Sequence, residues 1–251
     1  LPHGNQQNTL VFLDDISQIA QQAQQLKLAS LGRLTAGIAH EIRNPLGAIS
    51  HAAQLLFESE ELAAGDRRLI QIIQDQSRRM NLIIENILQL SRRRPAEPEL
   101  LNLSEWLRNY VREFSASSAP TQTIHLEVDE PSLHSRMDPA QLHQVLTNLV
   151  QNGLRYSQQH KPEAQLWIKL HIDQESELPV LEVHDDGPGV SPKRLDNIFE
   201  PFYTTETKGT GLGLYISREL CESNQARLDY TPSSHGGSCF RITFAHPRKL
   251  S

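Results

Sequence analysis

Only two cysteines, Cys221 and Cys239, occur in 251 residues, and neither has a second cysteine or a histidine at the spacing of a metal motif. A disulfide framework is thereby excluded, and both read as core thiols of a reducing compartment. Also missing is any apolar run near the roughly 20 residues needed to cross a bilayer, and the first residues do not resemble a signal peptide. Positive charge is in short supply: 24 Lys and Arg stand against 30 Asp and Glu, a net charge of -6. That balance gives no broad basic surface and argues against a nucleic-acid partner. Leu1 is not a natural start, so we expect a soluble piece of a larger protein, long enough for two domains with cores of their own.

What is present begins with a short apolar run, Thr9 to Leu13, ending at Asp14-Asp15, which reads as the last strand of an upstream domain. From about Ile16 the pattern turns helical, with Leu31, Leu34, Ile38, Ile42, Ile49, Ala52 and Leu56 on one face. His40, with Glu41 beside it, lies inside that pattern. A neutral imidazole nitrogen is a nucleophile near neutral pH, and an adjacent carboxylate can orient the ring and accept its proton. Alone, such a pair is more often a solvated polar couple. Pro45 predicts a kink just after His40, because a helix-interior proline costs about 3 kcal/mol or more.

A second helix, capped by Asp66, carries Leu69, Ile73, Met80, Ile83, Ile87 and Leu90 in heptad spacing, with Gln76 on the same seam. Two antiparallel amphipathic helices cannot bury both stripes alone, so a dimeric four-helix bundle is the favoured reading over packing on the rest of the chain. The stretch Arg92 to Pro98 reads as a hinge. The expected division is 1-15 upstream domain end or linker, 16-94 helical hairpin, 95-100 hinge and 101-251 a second domain. In that second domain helices are predicted from Leu103 to Phe114, Asp138 to about Tyr156 and Leu212 to Ser223. Strands are predicted at Ile124 to Val128, Leu166 to Ile172, Val180 to Val183, Arg227 to Tyr230 and Cys239 to Phe244. This is a mixed sheet covered on one face by helices.

Three stretches of this domain suit a ligand. Asn148 and Asn152 share a helix face, with Arg155 and Tyr156 a turn further on. Amide oxygens suit magnesium, Arg155 can pair with phosphate, and Tyr156 can lie against an adenine. Asp185-Asp186-Gly187-Pro188-Gly189 follows a strand, where a carboxylate can accept from an exocyclic amine while glycines let backbone approach. Gly209-Thr210-Gly211-Leu212-Gly213-Leu214 opens a helix whose N-H groups and dipole favour a phosphate chain. Each is weak by itself.

In this order, and with Ile198-Phe199-Glu200-Pro201-Phe202-Tyr203 between the last two, they resemble the sensor histidine kinases of two-component systems over nearly the whole chain. The runs Leu31 to His40 and Ala52 to Leu56 are similar to the nitrogen-regulation branch, and within it to sensors of type IV pilus regulation. The resemblance implies a dimerisation and histidine-phosphotransfer hairpin followed by a Bergerat-type (GHKL) α/β sandwich that binds ATP and Mg2+. It implies autophosphorylation of His40, with Glu41 as acid-base partner and Asn44 completing a pattern tied to phosphatase activity, and transfer to the receiver aspartate of a response regulator of the sigma-54 activator type. By the same resemblance Asn152 and Asn148 would hold magnesium, Asp185 would read the adenine amine and Gly187 and Gly189 would shape its wall. Phe202, Thr204, Thr205 and Lys208 would belong to a lid, and Gly209, Thr210, Gly211, Leu212, Gly213 and Leu214 would wrap the phosphates. The implied setting is the cytoplasmic side of a bacterial inner membrane, with the spans and a PAS sensor in segments preceding Leu1. Glu206 departs from the pattern, standing where this branch commonly carries lysine. The alternatives are a clamp-type ATPase of the same nucleotide fold and a nucleotide-dependent dimerising scaffold.

Overall fold

The computed structural model describes residues 42-58, 64-91, 95-117, 119-206 and 209-246. The strand expected at Thr9 to Leu13, the helix before Ile42, and His40, Glu41 and Lys208 lie outside them. The chain divides between Arg93 and Arg94 into two compact units.

The first unit is a helical hairpin of α1 (42-57) and α2 (Ala64–Ser91). Leu46 near the start of α1 packs with Ile84 and Leu88 near the end of α2, while the Arg67 guanidinium lies over Phe57 at 5.8 Å, so the helices run antiparallel. Pro45 lies within the described part of α1. On α2 the buried positions are Ile70, Ser77, Ile84 and Leu88, the first three one heptad apart. Leu69, Ile73 and Met80, expected on the seam, are exposed, Leu69 to 60%. The apolar surface of α2 is thus wider than one stripe, and the hairpin covers only one side of it.

The second unit begins with β1 (Glu99–Asn102), which pairs antiparallel with β3 (His134–Met137). This two-stranded sheet was not expected, because Glu99 to Asn102 shows no alternation. Between them come α3 (Leu103–Ser117) and β2 (Gln122–Val128). Asp138 caps α4 (Pro139–Gln158): its Oδ1 accepts from the N-H groups of Ala140 and Gln141 at 2.9 and 3.1 Å, and proline fills the first helical position. β4 (Ala164–Ile172) and β5 (Pro179–Asp185) form a hairpin, then a short 3-10 helix (Pro192–Asn197) leads to α5 (Gly213–Ser223), β6 (Arg227–Pro232) and β7 (Ser238–Thr243).

The main sheet has the order β2-β4-β5-β7-β6. β2 and β4 are parallel, joined through α4, and all other neighbours are antiparallel. Alternation decides the faces. Leu166, Ile168 and Leu170 turn with Leu181, Val183, Phe240 and Ile242 into a core closed by Leu142, Leu146, Leu149 and Val150 of α4. α4 therefore lies over β4 and β5, with its polar face left beside the C-terminal end of β5.

Candidate nucleotide-binding site

Two elements frame the site, α4 and the end of β5. Gly153 lets them approach: a Cβ there would come within 3.4 Å of the Asp185 Cβ and overlap the Leu166 side chain. Asp185 is buried, and its Oδ1 accepts from the N-H groups of Gly187 (2.9 Å) and Ser238 (3.0 Å). Burial pushes its carboxyl above the ordinary value against the pull of those hydrogen bonds. A methyl group on Gly187 would press on the Tyr156 carbonyl at 3.2 Å, so the turn after β5 is held against α4.

Behind this wall Asp186 is clamped by Lys161 Nζ at 2.5 Å and by the Ser157 hydroxyl. Gly189 has φ +68° and lies against the Gly237 carbonyl. Gly237, outside the three candidate stretches, closes the wall from the β6-β7 turn. Any Cβ there would stand 2.6 Å from the Gly187 nitrogen and overlap the Asp185 carboxylate. The Gly236-Gly237 pair was the available signal.

Along α4, Asn148 Nδ2 lies 3.4 Å from both the Gly213 carbonyl and the Ser217 hydroxyl, which brings the asparagine face to the start of α5. Asn152 Oδ1 accepts from Arg155 Nη2 at 2.7 Å, and Arg155 Nε contacts Glu206 Oε2 at 3.1 Å. Glu206 Oε1 also accepts from Gln159 Nε2 at 3.1 Å. The Arg155 guanidinium lies 5.3 Å from the Tyr156 ring centre, and the phenol is pushed up by burial and by Glu206 while Thr205 bonds it. So Glu206, flagged in the sequence as a departure, fastens the segment holding Thr204 and Thr205 onto α4.

The glycine-rich segment closes the other side. Gly211 has φ +69°, and a Cβ there would meet the Phe202 carbonyl oxygen at 2.7 Å; a Cβ on Gly209 would meet Thr204 Oγ1 at 2.6 Å. Phe202 itself has φ 67° and is exposed. Thr210 Oγ1 accepts from the Leu212 N-H at 3.4 Å, Leu212 is fully buried, and Leu214 packs on the core. The N-cap residue Leu212 makes no side-chain cap, so the start of α5 turns its N-H groups and the positive end of the helix dipole to this side of the site. Asn44 belongs to the first unit, where it is exposed on α1.

The geometry thus offers a buried acceptor behind a glycine wall, an amide and guanidinium face, and an uncapped helix start. Comparison with known proteins gives the same division of labour. Residues 137-248 match the family described as Histidine kinase-, DNA gyrase B-, and HSP90-like ATPase, and residues 30-96 match the His Kinase A (phospho-acceptor) domain. The chain belongs to the sensor histidine kinases. Among curated histidine kinases it is 69% identical to the sensor protein kinase PilS of Pseudomonas aeruginosa over 98% of this chain and 46% of that protein. It is 32% identical to sporulation kinase A of Bacillus subtilis over 95% of this chain and 39% of that one. The chain therefore spans less than half the length of these relatives. Histidine kinase ThkA, solved in complex with response regulator protein TrrA, superposes with a TM-score of 0.65 at 25% identity, covering 96% of this chain and 70% of that one. The full-length kinase ShkA in complex with AMPPNP shares the fold at TM-score 0.63 and 21% identity, over 87% of this chain and 47% of that one. As in this kinase family, a phosphoacceptor-type helical hairpin is followed by a GHKL-type ATP-binding sandwich. Among the described residues no helix is long and apolar enough to cross a membrane.

Proposed function

We propose that this chain phosphorylates itself on His40 with ATP and passes the phosphoryl group to the receiver aspartate of a response regulator. The observation that carries the reading is the Asp185 wall: a buried carboxylate fixed by Gly187 and Ser238, roofed by Gly237 and facing an asparagine helix, suits an adenine amine with phosphates leading toward α5. The residues that match a phosphoacceptor domain, 30-96, include His40.

In this reading Asp185 accepts from the adenine amine, Tyr156 lies against the base and the N-H groups after Gly211 hold the phosphates. Arg155 turns from Asn152 and Glu206 to phosphate, which frees the Asn152 amide oxygen. That oxygen, with Asn148 beside it, is a hard donor of the kind magnesium takes, so the residues present fit the ion. What the cation supplies there is neutralisation of phosphate charge. Thr204, Thr205, Lys208, Gly209 and Thr210 close over the tail of the nucleotide. An His40 ring nitrogen attacks the γ-phosphorus, the bond to the bridging oxygen breaks, ADP leaves and Glu41 takes the imidazole proton; positioning carries most of the rate.

Residues 95-100 serve as the hinge, 1-15 as the end of a PAS-like domain, and the exposed side of α2 as the seam of a dimeric four-helix bundle. Asn44 supports phosphatase activity toward the regulator, which is of the sigma-54 activator type and acts in type IV pilus control. The chain works on the cytoplasmic side of a bacterial inner membrane. Incubation with γ-labelled ATP tests the core of this. Label that is acid-labile, alkali-stable and absent from His40→Gln is expected. Acid-stable label, label retained in His40→Gln, or release of phosphate with no labelled protein, as a clamp-type ATPase would give, overturns it.

A further inference from the structure

The face of the main sheet turned away from the helices carries a cluster for which the nucleotide site has no use. Glu182 and His184 alternate onto this face of β5, and Cys239 of β7 pairs with His184 across the strands. The carboxylate, imidazole and thiol donor atoms all lie within 4.8 Å of one another. His184 Nε2 stands 3.1 Å from Glu182 Oε2 and 3.6 Å from Cys239 Sγ. Tetrahedral zinc, with bonds of about 2.0-2.3 Å to oxygen, nitrogen and sulfur, sets its donors roughly 3.3-3.7 Å apart. The two His184 separations lie in or near that range, and the carboxylate and thiol, within 4.8 Å of each other, need approach by about an ångström at most to close the triangle.

The surroundings are those of oriented ligands. The second nitrogen of His184 lies 3.4 Å from the Ser233 hydroxyl, which leaves Nε2 as the donor toward the cluster. Arg241 binds Glu182 through Oε1 only, at 2.6 and 2.8 Å, so Oε2 stays directed at His184. His171 Nε2 is 3.9 Å from the same oxygen, and its buried Nδ1 has no hydrogen-bond partner. His235, stacked on Trp167 at 3.7 Å, meets the His184 ring edge-on and shields it. Cys239 is a free and buried thiol, as its sequence context led us to expect. His184 and Cys239 come from strands 55 residues apart, which linear spacing cannot show.

We propose that Glu182, His184 and Cys239 form a binding site for a zinc-class divalent cation, with the fourth position left to water. A soft thiolate with imidazole and carboxylate selects zinc or cobalt over magnesium or calcium. Binding forms a sulfur-metal bond and releases the thiol proton to solvent. The cation ties β5 to β7 one residue away from Asp185 and Ser238, and so braces the wall from behind.

Cobalt titration of the whole chain tests this. One Co2+ per chain is expected, with a thiolate-to-cobalt charge-transfer band and tetrahedral visible bands that Zn2+ bleaches. Cys239→Ser and His184→Gln lose the band, whereas Cys221→Ser keeps it. Absence of the band in the unmutated chain, or its survival in Cys239→Ser, overturns the proposal. Should those variants fail to fold, X-ray absorption of the zinc-loaded Cys221→Ser chain decides: one sulfur at about 2.3 Å among nitrogen and oxygen ligands supports the site, and a shell without sulfur sinks it.

Discussion

Glu206 holds the Arg155 guanidinium at 3.1 Å, and in the function proposed above that carboxylate competes with the nucleotide phosphates for it. Replacing Glu206 with glutamine keeps a hydrogen bond to Gln159 or Arg155 but removes the competing charge. ATP affinity measured by calorimetry is expected to rise about two- to fivefold, since a half-exposed pair of this kind is worth roughly 0-1 kcal/mol, and the gain should shrink with added salt. Asp185 presents the opposite trade. Its folded carboxyl holds its proton more tightly than the unfolded chain does, so stability is full below the ordinary carboxylate range and falls as pH rises through the raised folded value. Asp185→Asn keeps an acceptor for Gly187 and Ser238 while removing the ionisation. Its nucleotide-free melting temperature should equal or exceed that of the parent at neutral pH and stay flat across that window. The same change turns an amide N-H toward the adenine amine, and ATP affinity should drop about ten- to a hundredfold, the loss of one buried hydrogen bond with two donors left facing each other.

At the scale of elements, α5 ends in a motif whose key residue is not the usual one. The Ala226 N-H bonds the Cys221 carbonyl at 2.8 Å and the Gln225 N-H bonds that of Glu222 at 3.0 Å, with Gln225 at φ 59°. Glycine takes this conformation without strain, so Gln225→Gly should stabilise the second unit by about 0.5-1 kcal/mol, read as an upward shift in melting temperature. Gly211→Ala has the reverse character: the new methyl meets the Phe202 backbone at a positive φ, and nucleotide binding should fall more than tenfold while the core melts nearly as before. Elements with a clear period were legible in the sequence. α4 with its Asp138 cap and the alternating strands β2 and β4 appear within a few residues of where periodicity put them. β1 was not, because four residues without alternation acquire their pairing only from β3, more than thirty residues on. The motif glycines were legible as glycines, but Gly237 and the fastening of Glu206 to Arg155 depend on distant segments meeting. The buried seam of α2 through Ile70, Ser77 and Ile84 was missed because the wider apolar surface holds more than one heptad reading.

For the molecule as a whole, the nucleotide site and its core draw on residues after Arg94 alone. A fragment of residues 95-251 is therefore expected to bind ATP within about twofold of the intact chain, a difference of under about 0.5 kcal/mol. It should label no protein until a hairpin piece containing His40 is added; loss of nucleotide binding in the fragment would show that the units depend on each other. The order of the main sheet has a further bearing on how such a protein is made. β7 comes last in sequence among the described strands yet lies inside the sheet, hydrogen-bonded to β5 on one side and β6 on the other. During synthesis the hairpin emerges first, while β5 waits with one edge unpaired until more than fifty further residues have left the ribosome. A ribosome that stalls before Ser238 leaves a chain that can fold its α1-α2 hairpin but has no strand to complete the sheet behind Asp185, so nascent chains gain the proposed nucleotide wall only once β7 has emerged.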